Sequence, residues 1–128
     1  MTRRRVAAVA VAAVGAAFTA HAAPKSPASG DAAAGATLFT DRCVTCHVPA
    51  GGGQGPSLVT VFGRPAGAAP GFHYSAALAG SGLTWTDAEL DRFLAGPSKL
   101  VPGTAMQVVI ANPAQRADLI RYLATQKR

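Results

Sequence analysis

The chain has 128 residues, with 12 Lys or Arg against 6 Asp or Glu and a formal net charge of +6. Half of that excess comes from Arg3, Arg4 and Arg5; beyond residue 22 nine basic groups face six acidic ones, a net +3 with no basic run. Dispersed charge of this kind gives no footprint for nucleic acid. The basic start Met1-Thr2-Arg3-Arg4-Arg5 leads into a run of mostly Ala and Val at 6–18, then Ala20-His21-Ala22. A basic start, a short apolar stretch and an A-x-A site read as a secretory signal peptide over 1–22, cut after Ala22. Residues 23–128 are then one exported domain in the periplasm. The apolar run is shorter than the roughly 20 residues that span a bilayer; the alternative is a leader left uncut as an anchor.

The exported part is long enough for one domain. Its large apolar side chains are few, much of its apolar content is Ala, and it holds thirteen Gly and nine Pro, most of them in loops. So thin a core is better filled by a bulky apolar ligand at its centre.

In chain order, a first helix is expected near 31–42, with acidic Asp31 at its start. Cys43-Val44-Thr45-Cys46-His47 follows directly. Further on, Arg64 reads as a solvated loop charge, and Tyr74 and Trp85 as core aromatics. Thr86-Asp87-Ala88-Glu89 has the form of a capping box. Leu90, Phe93 and Leu94 give the next helix its apolar face, until Gly96-Pro97 stops it. Met106 is the one methionine after Met1. A lone methionine is more often core filler than a ligand, but the turn residues Pro102-Gly103 ahead of it can aim its thioether inward. Asn112 and Pro113 then provide a cap and a first-turn proline, and Ala117, Leu119, Ile120, Tyr122 and Leu123 form the buried side of a last helix. Three helices, long loops and no clear strand make an all-α domain wrapped around a prosthetic group.

The two cysteines are the only ones in the chain. Export favours oxidation, but a redox dithiol wants C-x-x-C between a strand and a helix, and no strand pattern flanks the site. Structural zinc needs four ligands. After Cys43, Cys46 and His47 the exported part offers only His73, whose neighbours form no ligand pair. Covalent haem fits directly: C-x-x-C-H is the attachment motif of c-type haem, two thiols adding to two vinyl groups with His47 next to them to coordinate the iron.

From Gly35 to Leu123 the chain resembles the class I cytochromes c, the soluble mitochondrial-like and bacterial periplasmic monohaem proteins. The blocks that carry the resemblance are GATLFTDRCVTCH, GPSLVTVFGRPAG, APGFHYSAAL, LTWTDAELDRFLAGPSKLVPGTAM and RADLIRYL, in that order. It implies the cytochrome c fold and one haem c, with thioethers on Cys43 and Cys46, His47 as proximal and Met106 as distal iron ligand. It further implies that the Pro56 carbonyl accepts from the His47 ring, that Arg64, Tyr74 and Trp85 surround a buried propionate with Thr104 near it, and that Gly35 and Phe39 meet Leu119, Tyr122 and Leu123.

The implied role is one-electron transfer between redox protein partners by a monomer, with no catalytic residue, no small-molecule substrate and no nucleic acid. The alternative is a dedicated haem subunit of a periplasmic dehydrogenase or oxidase. Three departures stand out. Phe93 falls where the family often has tyrosine, Leu78 where mitochondrial members have asparagine, and of the lysines ringing the mitochondrial haem edge only Lys99 remains in the 96–106 stretch, with Arg42 beside Cys43. Docking is therefore expected to rely on apolar contact around Val48, Ala105 and Val108.

Overall fold

The computed structural model describes residues 30–126. The expected leader at 1–22 lies outside the described residues. Five helices follow one another: α1 (Ala32–Arg42), α2 (Ala76–Ala79), α3 (Asp87–Ala95), α4 (Pro97–Leu100) and α5 (Pro113–Thr125). The three long ones are those expected from sequence, and each begins at a side-chain cap. Asp31 accepts from the N–H groups of Ala33 (2.8 Å) and Ala34 (3.4 Å). Thr86 accepts from Glu89 N–H at 3.3 Å. Asn112 accepts from Ala114 (2.9 Å) and Gln115 (3.4 Å), with Pro113 in the first turn. These caps satisfy donors that a helix leaves open at its start, each contributing about 1 kcal/mol.

The capping box at Thr86 is only half made. Glu89 does not reach back to the Thr86 N–H, which donates instead to Thr84 O at 2.7 Å. Its carboxylate turns forward to Arg92, at 3.0 and 3.1 Å. The stop at Gly96-Pro97 is also only partial. Gly96 ends α3, but Pro97 opens the one-turn helix α4, because a proline that ends one helix suits the first position of the next.

The main packing unit is α1 against α5. Phe39 of α1 and Leu119, Ile120 and Leu123 of α5 are all buried, and the Phe39 and Tyr122 rings lie 5.3 Å apart. Burying side chains of this size contributes roughly 1.5–3 kcal/mol each. The helices approach so closely at Gly35 that a Cβ there would overlap the Asp118 carbonyl and the Tyr122 Cβ. Asp118 also accepts from the Asp31 backbone N–H at 2.7 Å, fastening the start of α1 to α5.

The α3 face packs on the same core through Leu90, Phe93 and Leu94. Among the described residues no strand forms. The nearest approach to one is the pairing of 63–66 with 83–85, closed by a single bridge between Pro65 and Thr84. Nor is any described helix long and apolar enough to cross a membrane.

The close contact at Gly35 sets a measurable cost. Gly35→Ala should lower the stability of the haem-loaded protein by about 1–3 kcal/mol in guanidinium unfolding, as overpacking does; an unchanged midpoint would contradict the α1–α5 contact described.

Candidate functional site

The Cys-x-x-Cys-His motif is the continuation of α1. Cys43 N–H and Val44 N–H both donate to Phe39 O, at 2.9 and 3.0 Å, and Cys46 and His47 N–H both donate to Cys43 O, at 3.1 and 2.8 Å. The two cysteines thus sit about one turn apart, as side chains three positions apart on a helical turn do. The helix pair that anchors α1 anchors the motif with it. The two sulfurs are not joined in a disulfide. Burial pushes the Cys43 thiol up to about 11, with the charge of Arg42 opposing and Cys46 adding to the rise. A redox dithiol needs the opposite, a thiolate stabilised near neutral pH. A thioether has no proton to lose and tolerates such burial.

His47 is oriented from below. Its Nδ1 lies 2.8 Å from the Pro56 carbonyl oxygen. A carbonyl can only accept, so Nδ1 carries the proton and Nε2 keeps the lone pair that binds a metal. The segment between them folds back tightly, with Gly55 N–H donating to Cys46 O at 2.9 Å and Ser57 Oγ to Pro49 O at 2.9 Å. Gly55 lies directly under the ring: a Cβ there would come 2.6 Å from Nδ1 and 3.1 Å from Nε2. The same imidazole borders a cavity of about 30 Å³ that Phe39, Leu58, Tyr122 and Leu123 also line, so the ring meets the α1–α5 contact directly.

The other sequence-expected residues fall into separate groups. Arg64 and Trp85 are neighbours, because Trp85 N–H donates to Arg64 O at 3.0 Å and Gly63 N–H to Trp85 O at 2.9 Å. Trp85 is buried against Phe93, ring centres 4.9 Å apart. Arg64 is no solvated loop charge: its guanidinium donates to Val59 O and Ser57 O, both at 3.3 Å. Tyr74 is bonded to neither of these two; it packs on Phe72 at 4.9 Å and its hydroxyl accepts from Ala69 N–H at 3.3 Å. Thr104 is buried in the loop after α4, and Met106 is half-buried against the core.

Two buried polar atoms are left without a partner among the described residues, Arg64 Nε and Thr104 Oγ1. An unsatisfied buried group costs roughly 1–3 kcal/mol. Both can donate, so both suit an anionic group such as a haem propionate. With an imidazole lone pair, two sulfurs and these donors, the residues present fit a haem.

Known proteins support that fit. The chain matches the family model described as cytochrome c over residues 32–127. It is 47% identical over 103 residues to cytochrome c2 of Rhodomicrobium vannielii, covering 77% of this chain and 82% of that one. It is 43% identical over 99 residues to cytochrome c of Chlamydomonas reinhardtii, covering 74% and 88%. Among solved structures, cytochrome cH from Methylobacterium extorquens matches with a TM-score of 0.71 and 47% identity, over 75% of this chain and 99% of that one. The fold and the site define a helical haem-thioether domain. The chain belongs to the cytochrome c family, as a class I monohaem member. It carries one haem c bound through Cys43 and Cys46, and it is an electron carrier.

One residue that matters here has no sequence signal. Arg116 of α5 donates from Nε to Asp91 of α3 at 2.6 Å and from Nη1 to the carbonyls of Ile110 (3.0 Å) and Ala111 (2.9 Å). The Arg116 side chain is mostly buried while Asp91 is partly exposed, so the guanidinium depends on these three acceptors to offset its lost hydration. Arg116 therefore joins α3, α5 and the end of the loop that bears Met106. Arg116→Ala should cost about 1–2 kcal/mol of unfolding free energy, since it leaves the Ile110 carbonyl without its partner and removes the tie to Asp91. Arg116→Lys should recover only part of this, because an ammonium lacks the guanidinium fork; full recovery in denaturant titration would contradict the role given to the fork.

Proposed function

We propose that this chain carries single electrons between membrane-bound or periplasmic redox proteins, with His47 and Met106 as the two axial ligands of its haem. The observation that carries this reading is the contact between His47 Nδ1 and Pro56 O, at 2.8 Å. It fixes the tautomer, points the lone pair away from the carbonyl and raises the basicity of the ligand. When bound, the haem supplies the one-electron step. The protein supplies the rest. The Pro102-Gly103 turn presents Met106, and a thioether opposite an imidazole raises the reduction potential. Arg64 Nε and Thr104 Oγ1 are the donors left over for the propionates, with Trp85 beside Arg64. Phe93 and Leu78, where polar groups are common in the family, leave the pocket drier. His47 and Met106 would both be given to the iron, so this reading calls for no acid, base or nucleophile.

The leader at 1–22 supports export and a mature chain starting at Ala23, which puts the carrier in the periplasm. The surface favours a monomer that docks briefly over a permanently bound subunit. Among the described residues the one large hydrophobic side chain left exposed is Val109, at 46%. Obligate interfaces need far larger apolar areas. The exported part, 23–128, holds nine basic and six acidic groups, a modest net +3 with no basic run. Two of its cations, Arg92 and Arg116, are paired internally. Steering by a long-range field is therefore weak, and docking falls to the apolar patch around Val48, Ala105 and Val108.

Two outcomes are expected. In the ferric protein, the weak long-wavelength charge-transfer band of a methionine–iron bond should be present, should be abolished by Met106→Ala and should survive His73→Ala; a wild-type protein without the band, whose haem spectrum changes in His73→Ala and not in Met106→Ala, would transfer the ligand role to His73. With mature protein beginning at Ala23, the electron-transfer rate with its native partner should change by less than about threefold between low and physiological ionic strength. A steep fall would show that charge, not apolar contact, governs docking.

A further inference from the structure

We propose that Gln107 is a positioning residue whose side-chain amide braces the methionine loop and sets how readily Met106 is displaced. The inference rests on the reading of Met106 as distal ligand. The loop leaves α4 through a tight turn in which Thr104 N–H donates to Val101 O at 3.0 Å. Pro102 and Gly103 are its central residues, and Gly103, at φ +90°, adopts the left-handed conformation that a type II turn requires at this point. The loop is fixed again at Ile110, whose N–H donates to Leu94 O at 2.8 Å and whose carbonyl accepts from Arg116 at 3.0 Å.

Between these anchors lie residues 105–109, with Met106 among them. Among the described residues the hydrogen bonds that hold this stretch come from one side chain. Gln107 Nε2 donates to the Thr104 carbonyl at 3.0 Å, and Gln107 Oε1 accepts from Ser98 Oγ of α4 at 3.1 Å. A single amide thus ties the residue after Met106 both to the turn before it and to the helix before that. Gln107 and Ser98 are exposed, so the brace adds little to global stability. Its effect falls on the local opening of the loop, the motion that exchanges the distal ligand.

The test uses ferric haem-loaded protein and imidazole as the competing ligand. Gln107→Leu removes both bonds and should bind imidazole roughly three- to tenfold more tightly, the factor expected from a net hydrogen bond. Amide exchange at Thr104 should quicken by a similar factor, while α5 amides and the guanidinium midpoint stay unchanged. Ser98→Ala should give a smaller gain, and Ser98→Thr should restore wild-type behaviour. Unaltered imidazole affinity and Thr104 exchange in Gln107→Leu would overturn the proposal. So would a tighter affinity matched by an equal loss of global stability, which would mark a general weakening. If wild-type protein lacks the methionine–iron band, the ligand reading fails instead, and Thr104 exchange still decides whether the brace exists.

Discussion

The orientation of one imidazole constrains much of what surrounds it. His47 serves as an iron ligand only if Nε2 keeps its lone pair and the ring keeps its plane. The Pro56 carbonyl settles the first and Gly55 lies against the ring for the second. Both come from a loop that folds back onto Cys46 through the Gly55 N–H. The motif is in turn an extension of α1, and α1 is held by α5 at Gly35, Phe39 and Asp118. The contact between the first and last helices thereby helps fix the direction of the His47 ring. The small cavity shared by His47, Tyr122 and Leu123 lies where the two meet.

The segment bearing Met106 is built on a different principle. No helix carries Met106. A loop does, secured at Thr104 by a turn and at Ile110 by Leu94 and Arg116. Proteins draw their exchangeable elements from regions of low local stability, and between its buried ends at Thr104 and Ile110 this loop is held by few hydrogen bonds. With His47 and Met106 as the proposed ligands, one firmly held side chain and one lightly braced one would divide the two demands on an electron carrier. The iron must change charge with little rearrangement, and the surface above it must meet partners. The exported part carries only a modest net charge of +3, spread along the chain with no basic run.

Much of this was legible in the sequence, and the reasons are local. Asp31, Thr86 and Asn112 announce their helices because a cap acts within three residues of itself. Cys43, Cys46 and His47 announce the haem because attachment and ligation share one turn. The family resemblance added Pro56 and its link to His47. What escaped was set by tertiary contacts. The helices α2 and α4 are single turns of four residues and show no periodicity. Glu89 follows the capping-box pattern but is drawn to Arg92. Arg116 reaches Asp91 across 25 residues, and Gln107 acts on a carbonyl and a serine that no spacing rule connects to it. Arg64 looked like a loop charge because its partners are backbone carbonyls, which a sequence does not distinguish from one another.

Electron transfer by this chain depends on a porphyrin joined to Cys43 and Cys46, and the most direct check is the intact mass of the purified exported protein under denaturing conditions. The expected value is the polypeptide plus one haem, retained after unfolding. A bare polypeptide mass, with both thiols free or bridged to each other, would contradict it.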